Sequence, residues 1–535
     1  MKGLMGRDAL TVRSIFDRLR TVQADGAVIS YSATGVERTT YGALADRVLR
    51  LVSVLRDLGV APGDRVATFA NNSARHLELY YAVPLLGAVL HMVNIRLHDD
   101  QIGYVVGHAG DEVIFVDDDL VPRLAEVVPQ LSGVHTYVRI GPGDAADIDG
   151  ILDGEVLIAA APPATDLPDL DEDDACAICY TSGTTGMPKG VVYSHRATYL
   201  HAMAACMVDH LALSERDRVL PVVPLFHACG WGLPYAAPFT GAELVFAGAD
   251  VSPEALARII EAEQITWTAG VPTIWTALLP LVQQRAFDYS SLRTIGIGGA
   301  ATPRPLLEAY DECGIEVLQI WGMTETAPVA CSSRPRRRHR GLSRAELQDV
   351  RLKTGTIFAG LEARITAEDG TELPWDGEAV GELECRGPWV ATAYHDDPAL
   401  GEKFRDGWLR TGDMAVMEPD GYFRIVDRSK DLVKSGGEWI SSVELEGAIM
   451  AHPLVREAAV VGVRSRRWDE RPVALVVPVN GVAPSLAELH EFLRDRVAKW
   501  WLPDDVVVVD EIPKTSVGKF DKKAMRAQLA DRVLP

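Results

Sequence analysis

The chain's 535 residues exceed one ordinary domain, and a hydrophobic fraction of 47% supplies enough apolar side chain for a core in each of two or three. A formal net charge of −22 argues against a duplex-binding surface, because phosphate contacts need clustered Lys and Arg. Seven cysteines do not make the disulfide framework of a small secreted domain, residues 1–10 hold no apolar signal core, and no apolar run approaches the roughly 18 residues of a spanning helix, so a cytoplasmic enzyme that binds no nucleic acid and spans no membrane is expected.

Short β-rich apolar runs at residues 65–70, 112–117, 218–225 and 265–270 alternate with helix-period segments. Residues 72–97, with Leu77, Leu79, Tyr80, Ala82 and Val83 at recurring positions, predict a crossover helix packed on a sheet. Such alternation predicts α/β layers. Cys176 and Cys179 have metal-like spacing, but no second Cys or His pair stands nearby, so core thiols are expected rather than zinc ligands. The basic run from Arg334 to Arg340 reads as a solvated loop. From about residue 352 to 427 the texture changes to short strands punctuated by Gly and Pro, as at 381–387 and 421–427, which predicts a β-barrel-like subdomain. Beyond Ser429, a helix at 442–452, strands at 458–463 and 473–479 and a helix at 485–499 predict a compact α+β unit. The expected fold is α/β: a large N-terminal domain of layered sheets with the barrel-like subdomain, residues 1–429, and a small α+β C-terminal domain, residues 430–535.

The densest chemical signal is Tyr180-Thr-Ser-Gly-Thr-Thr-Gly-Met-Pro-Lys-Gly190, a loop after an apolar strand. Gly183, Gly186 and Gly190 let backbone N–H groups approach an anion without a Cβ in the way, Thr181, Ser182, Thr184 and Thr185 supply hydroxyls, and Lys189 adds a positive charge. The Walker pattern is different: there Ser or Thr follows the lysine, whereas here Gly190 follows Lys189 and Pro188 precedes it.

The loop resembles the phosphate loop of the adenylate-forming superfamily, which includes acyl-CoA synthetases, firefly luciferases and peptide-synthetase adenylation domains. Three further segments follow in the family's order: Trp321-Gly-Met-Thr-Glu-Thr326, Trp408-Leu-Arg-Thr-Gly-Asp413 and Pro513-Lys-Thr-Ser-Val-Gly-Lys519. The similarity runs from about Thr40 to Lys522, and Asp427 stands where peptide-synthetase domains often have glycine, which favours the fatty-acyl and luciferase-like branch. The resemblance implies a homodimeric ligase that takes a free carboxylic acid, ATP, Mg²⁺ and coenzyme A as co-substrate, with a medium- to long-chain fatty acid as first choice of acid and a short or thioether carboxylate as alternative.

Residue roles follow from the same resemblance, each with its own chemical reason. Glu325 offers Mg²⁺ a hard oxygen ligand, with Thr184 as hydroxyl or water-holding partner. Trp321 presents a face to adenine, with Gly299, Ala300, Ala301, Gln319, Ile320, Gly322 and Thr324 around the nucleotide. Asp413 has two oxygens for the two ribose hydroxyls, and Arg428 reaches ribose or phosphate. Lys519 is the expected catalytic lysine of the first half-reaction, holding charge on the attacking carboxylate and the α-phosphate. Lys430 is the expected hinge, and Lys434 with Gly436, Gly437 and Trp439 forms a second face for the pantetheine arm and thioester formation. In Pro224-Leu-Phe-His-Ala-Cys-Gly-Trp231, His227 and Trp231 resemble acyl-site walls, the tryptophan as a gate. An adenylation subunit for a separate carrier, a luciferase-like oxygenase and an inactive nucleotide-binding regulator are the rivals. The chain stops soon after Lys519 without a carrier domain, so free coenzyme A is the expected acceptor.

Overall fold

The computed structural model describes residues 1, 3–181, 187–397, 403–435, 438–515 and 518–534. A seven-stranded sheet has the order Leu152–Asp153, Thr136–Ile140, Asp111–Asp117, Arg65–Phe69, Val89–Met92, Ala175–Tyr180, Gly190–Ser194, parallel except for the last pair. A fourteen-stranded sheet runs parallel through Ala27–Ser32, Glu243–Phe246, Arg218–Pro221, Trp267–Gly270, Thr294–Ile297 and Glu316–Gly322, then antiparallel through Val329–Ser332, Gly355–Ile357, Tyr422–Arg428, Trp408–Met417, Val380–Arg386 and Glu362–Thr366.

The two sheets share one core. Helices Val12–Thr21, Tyr41–Asp57, Ala74–Leu85, His195–Ala205 and Leu233–Thr240 lie in it together with Val66 and Phe115 of one sheet and Val28, Leu244 and Trp267 of the other. Ala74–Leu85 is buried on almost every side, as a helix between two apolar sheets must be. The outer faces are covered by Asp99–Ala109 on the smaller sheet and by Pro253–Glu263, Pro272–Gln283 and Arg304–Glu312 on the larger.

Several expected elements have different limits. Residues 72–97 form the helix Ala74–Leu85 and then the strand Val89–Met92, joined through Gly87 at φ +81°. Both are almost wholly buried, with His76 and Glu78 of the helix and His91 of the strand among the enclosed residues, so no solvent-facing polar period marks the join. The run 218–225 leaves the sheet after Pro221, which has no N–H to give a ladder. The helix expected to reach 499 ends at Leu493. The strands expected to form a barrel-like subdomain continue the fourteen-stranded sheet edge to edge. The basic run is tied to its neighbours: Arg334 bonds the His210 carbonyl at 2.6 Å, and Arg338 pairs with Asp420 at 3.0 Å.

Between the end of Tyr422–Arg428 and the start of Val433–Ser435 the chain passes from the large sheet to a small five-stranded one. That sheet packs Ser442–Met450 and Leu486–Leu493 on one face and Lys522–Gln528 on the other. Among the described residues no helix is long and apolar enough to cross a membrane.

Candidate active site

A cleft of about 1640 Å³ opens where Trp267–Gly270, Thr294–Ile297 and Glu316–Gly322 end, the carboxyl edge at which open α/β sheets carry ligands. Its volume exceeds the roughly 300–1,000 Å³ of a single-ligand pocket, leaving room for a nucleotide and a second substrate. Asp413, Arg428 and Lys430 close one side, and Thr515, Lys519 and Lys522 of the small domain cover it.

Asp413 is buried on the long strand Trp408–Met417. One carboxylate oxygen accepts from Trp321 Nε1 at 3.0 Å, and the other accepts from Arg428 Nε at 2.7 Å. Each oxygen keeps a lone pair for a ribose hydroxyl. The same carboxylate holds the Arg428 guanidinium above its usual range. Trp321 is further fixed edge-on by Phe423, with ring centroids 5.8 Å apart.

The segment Gly298-Gly-Ala-Ala301 borders the cleft, with Gly299 at φ +82°, a conformation glycine adopts without strain. Gln319 does not point a free amide at a ligand. Its Oε1 accepts from Thr302 N at 2.9 Å and from the Thr302 hydroxyl, and its Nε2 donates to the Ala300 carbonyl at 3.4 Å, so it braces that segment. Ile320 is buried in its strand, and Gly322 has no room for a Cβ, which would fall 2.0 Å from the Pro328 carbonyl oxygen. Thr324 is buried with its carbonyl accepting from Tyr193 at 2.6 Å.

Ser182, Gly183, Thr184, Thr185 and Gly186 lie outside the described residues. The two ends of that loop meet: Thr181 N donates to the Lys189 carbonyl at 3.0 Å, and Lys189 N donates to Thr181 Oγ1 at 3.1 Å. The loop thus joins two antiparallel strands, Ala175–Tyr180 and Gly190–Ser194, rather than a strand and a helix. Cys176 and Cys179 are buried on the incoming strand. Lys189 lies 3.2 Å from Asp397 and 4.8 Å from the Tyr394 ring centroid. Tyr394 donates to Glu325 Oε1 at 2.5 Å, so a buried, hard carboxylate is oriented at the edge of this region and suits an oxygen-preferring cation.

Lys519 reaches the centre of the cleft from the small domain. Its loop is closed by Thr515 N donating to the Lys519 carbonyl at 2.7 Å, and its Cε lies 3.1 Å from where a Cβ on Gly299 would stand. Burial and the Arg428 guanidinium push the ammonium down to about 8, against the pull of Asp413 and Glu325.

His227 and Trp231 border the same cleft. Burial, with Lys519 and Arg96 nearby, pushes His227 down to about 3, so its imidazole is neutral. Trp231 sits on a left-handed turn in which Ala228, Cys229, Gly230, Trp231 and Gly232 all have positive φ. Each non-glycine residue there stores about 1–2 kcal/mol. Gly232 is demanded twice, by its φ of +74° and by His201, whose Cε1 would lie 2.3 Å from an added Cβ.

Of the remaining candidates, Lys434 and Trp439 are not brought to the cleft. Lys434 and Trp439 face each other across a hairpin on the small domain, with Lys434 Nζ 5.7 Å from the exposed indole, and neither lines the cleft. Gly436 and Gly437 lie outside the described residues. Lys430 borders the cleft, and its carbonyl accepts from Arg526 at 3.1 Å.

Sequence reasoning missed Tyr394, Lys403 and His201. Tyr394 and Lys403 stand outside the quoted motifs, and His201 acts from the middle of a helix. It also missed the support beneath Tyr180, whose hydroxyl bonds His108 Nδ1 at 2.8 Å and whose ring lies 5.0 Å from that of His91, itself paired with Asp111.

Comparison with known proteins agrees with this arrangement. Residues 17–395 match the family model of the AMP-binding enzyme, and residues 444–519 match that of the AMP-binding enzyme C-terminal domain. The chain is 43% identical over 525 residues to a long-chain-fatty-acid–CoA ligase of Thermus thermophilus, covering 97% of this chain and 96% of that one. It is 42% identical over 539 residues to a 3-methylmercaptopropionyl-CoA ligase of Ruegeria pomeroyi, with 99% of each covered. The anthranilate CoA ligase AuaEII, solved with anthranoyl-AMP, superposes with a TM-score of 0.88 at 25% identity over 99% of both chains. The chain belongs to the AMP-binding enzyme family.

Proposed function

We propose that the chain is an AMP-forming acyl-CoA synthetase that activates a medium- to long-chain fatty acid as its acyl-adenylate and transfers the acyl group to coenzyme A. The observation that carries the reading is the meeting of Lys519, Asp413, Arg428, Glu325 and Trp321 around one cleft, although three of them are separated by roughly a hundred residues each in the chain. Kinship with a long-chain-fatty-acid–CoA ligase over nearly the whole chain supports the substrate class.

In the first half-reaction a carboxylate oxygen bonds to the α-phosphorus of ATP and pyrophosphate leaves. Asp413 takes the ribose hydroxyls, Arg428 stays aligned by its bond to Asp413, and Lys519 holds the growing charge on the carboxylate and α-phosphate oxygens. Thr181 and Lys189 anchor the loop that grips the outer phosphates, with Ser182 to Gly186 supplying the donors. Glu325 and Thr184 would hold Mg²⁺, which supplies neutralising charge to the phosphates when bound. His227, being neutral, puts no competing cation on the acid, and Trp231 gates the acyl site. For the second half-reaction the small domain, residues 430–535, turns about Lys430 so that Lys434, Gly436, Gly437 and Trp439 flank the pantetheine thiol. A homodimer in the cytoplasm completes the proposal, and light scattering of the purified protein checks its mass.

The test is pyrophosphate release and acyl-CoA formation across free acids from short to long, with the thioether acid 3-methylmercaptopropionate included. A maximum among medium to long straight-chain acids supports the proposal. A maximum at the thioether acid favours the alternative, for which the kinship with a 3-methylmercaptopropionyl-CoA ligase speaks. No exchange of labelled pyrophosphate into ATP with any acid would refute both.

A further inference from the structure

Arg428, Lys519 and Lys403 gather around the carboxylates of Asp413 and Glu325 on the floor of the cleft. Both Asp413 oxygens are engaged by Trp321 and Arg428, and Glu325 is engaged by Tyr394. The nearby Glu382 is committed to Arg410 and to the backbone N–H of Gly412.

Lys403, unlike Arg428, meets no carboxylate directly among the described residues. Its Nζ donates to the neutral carbonyl of Thr411 at 3.1 Å and lies 3.7 Å from where a Cβ on Gly412 would stand, and among the described residues no carboxylate is in ion-pair range of it. An ammonium has three donors, so this contact leaves charge and hydrogen-bonding capacity facing the cleft that Lys403 lines. The side chain is placed by the large domain alone, because the Lys403 carbonyl accepts from Arg410 N at 2.9 Å on the strand that carries Asp413.

We propose that Lys403 is a second phosphate-binding lysine of this cleft, its ammonium taking a non-bridging oxygen of the nucleotide α-phosphate. The position follows from its neighbours: Asp413 marks the ribose side, Glu325 the polyphosphate side, and the α-phosphate of a bound adenylate lies between. This inference rests on the adenylate-forming reading. Unlike Lys519, Lys403 does not belong to the small domain, so it keeps its place in both half-reactions. In the second, the coenzyme A sulfur bonds to the acyl carbonyl carbon, the carbonyl C–O bond to phosphate breaks with its electron pair passing to AMP, and the thiol proton goes to solvent. Lys403 then faces the charge that develops on the departing phosphate.

The test compares AMP with adenosine as competing ligands for wild type, Lys403→Gln and Lys403→Arg. Gln retains a donor for the Thr411 carbonyl but no charge, and Arg retains the charge. Lys403→Gln is expected to weaken AMP by about tenfold or more and adenosine by less than about twofold, with Lys403→Arg recovering most of the AMP affinity. Thioester formation from supplied acyl-adenylate is expected to slow with the same variant. Equal weakening of AMP and adenosine, or weakening of neither, overturns the inference, and retained adenosine binding shows that the site is folded. If wild type binds neither AMP nor ATP, the adenylate-forming reading itself fails, which is a distinct outcome.

Discussion

Trp231 is pressed onto Gly298. A Cβ at residue 298 would lie 2.7 Å from the indole Cη2, 3.1 Å from Cζ3 and 3.0 Å from the Ile320 carbonyl oxygen. The segment bordering the nucleotide side of the cleft and the ring proposed as acyl gate therefore share a surface, and the left-handed turn leaves the indole little freedom to retreat. Gly298→Ala is expected to lower acyl-CoA formation about tenfold for every acid, since overpacking of roughly 1–3 kcal/mol falls on the reacting geometry. Trp231→Ala is expected to shift chain-length preference instead. The double variant should recover part of the Gly298→Ala loss, because the ring clash is gone while the Ile320 clash stays. Turnover measured across straight-chain acids decides between these outcomes, and an unchanged profile in Trp231→Ala would remove the ring from the acyl site.

Lys519 stands among Asp413, Arg428 and Glu325 only because the small domain is docked on the cleft. Lys519→Ala should lower acyl-adenylate formation by about 10²–10³-fold or more, the range for loss of one preorganised donor. Thioester formation from supplied acyl-adenylate should stay close to wild type, since that step uses the other face. Equal loss in both assays contradicts the assignment.

The depressed Lys519 ammonium gives a pH dependence with a definite sign. Its work requires the charged form, so kcat/KM for ATP in the adenylation assay should fall as pH rises through about 8, the value burial and Arg428 impose on the free enzyme. Bound ATP brings negative charge beside the ammonium and raises it, so the alkaline limb of kcat should lie at higher pH than that of kcat/KM. Lys519→Arg should move the kcat/KM limb out of the measurable range. A limb that stays in place in the arginine variant belongs to another group.

The alternation of strands and helices was legible because short β-rich apolar runs stand apart from longer helix-period segments, and the glycine-, hydroxyl- and acid-bearing segments stood out because their residue types have few structural uses together. What the sequence hid is the way residues distant in the chain are braced. Nothing around Gln319 shows that its amide is engaged by Thr302 and Ala300, and nothing around Lys403 shows that its ammonium lies beside the strand of Asp413. The helix and strand within residues 72–97 merged because both are almost wholly buried, so the polar residues they carry, His76, Glu78 and His91, do not mark a solvent face.

Docking of the small domain depends on a contact just before the proposed hinge. Asp427, at the end of the large sheet, accepts from Ser442 N at 2.7 Å and from the Ser442 hydroxyl at 2.5 Å, capping the helix Ser442–Met450 from outside its own domain. Lys522 donates to the same hydroxyl and pairs with Glu446 at 2.8 Å, joining the cap to the element that follows the Lys519 loop. Asp427→Asn keeps the shape but removes the charge that favours both the helix N-terminus and Lys522. Ser442→Ala removes the shared hydroxyl. Either change is expected to weaken docking by about 0.5–2 kcal/mol, the usual range for a lost cap. Adenylation should then slow several-fold, thioester formation from supplied acyl-adenylate should hold or rise, and trypsin should cut the exposed Arg428–Lys430 connection faster. Slowing of both half-reactions to the same degree, with unchanged proteolysis, would mean that the contact supports the fold of one domain and has no part in docking.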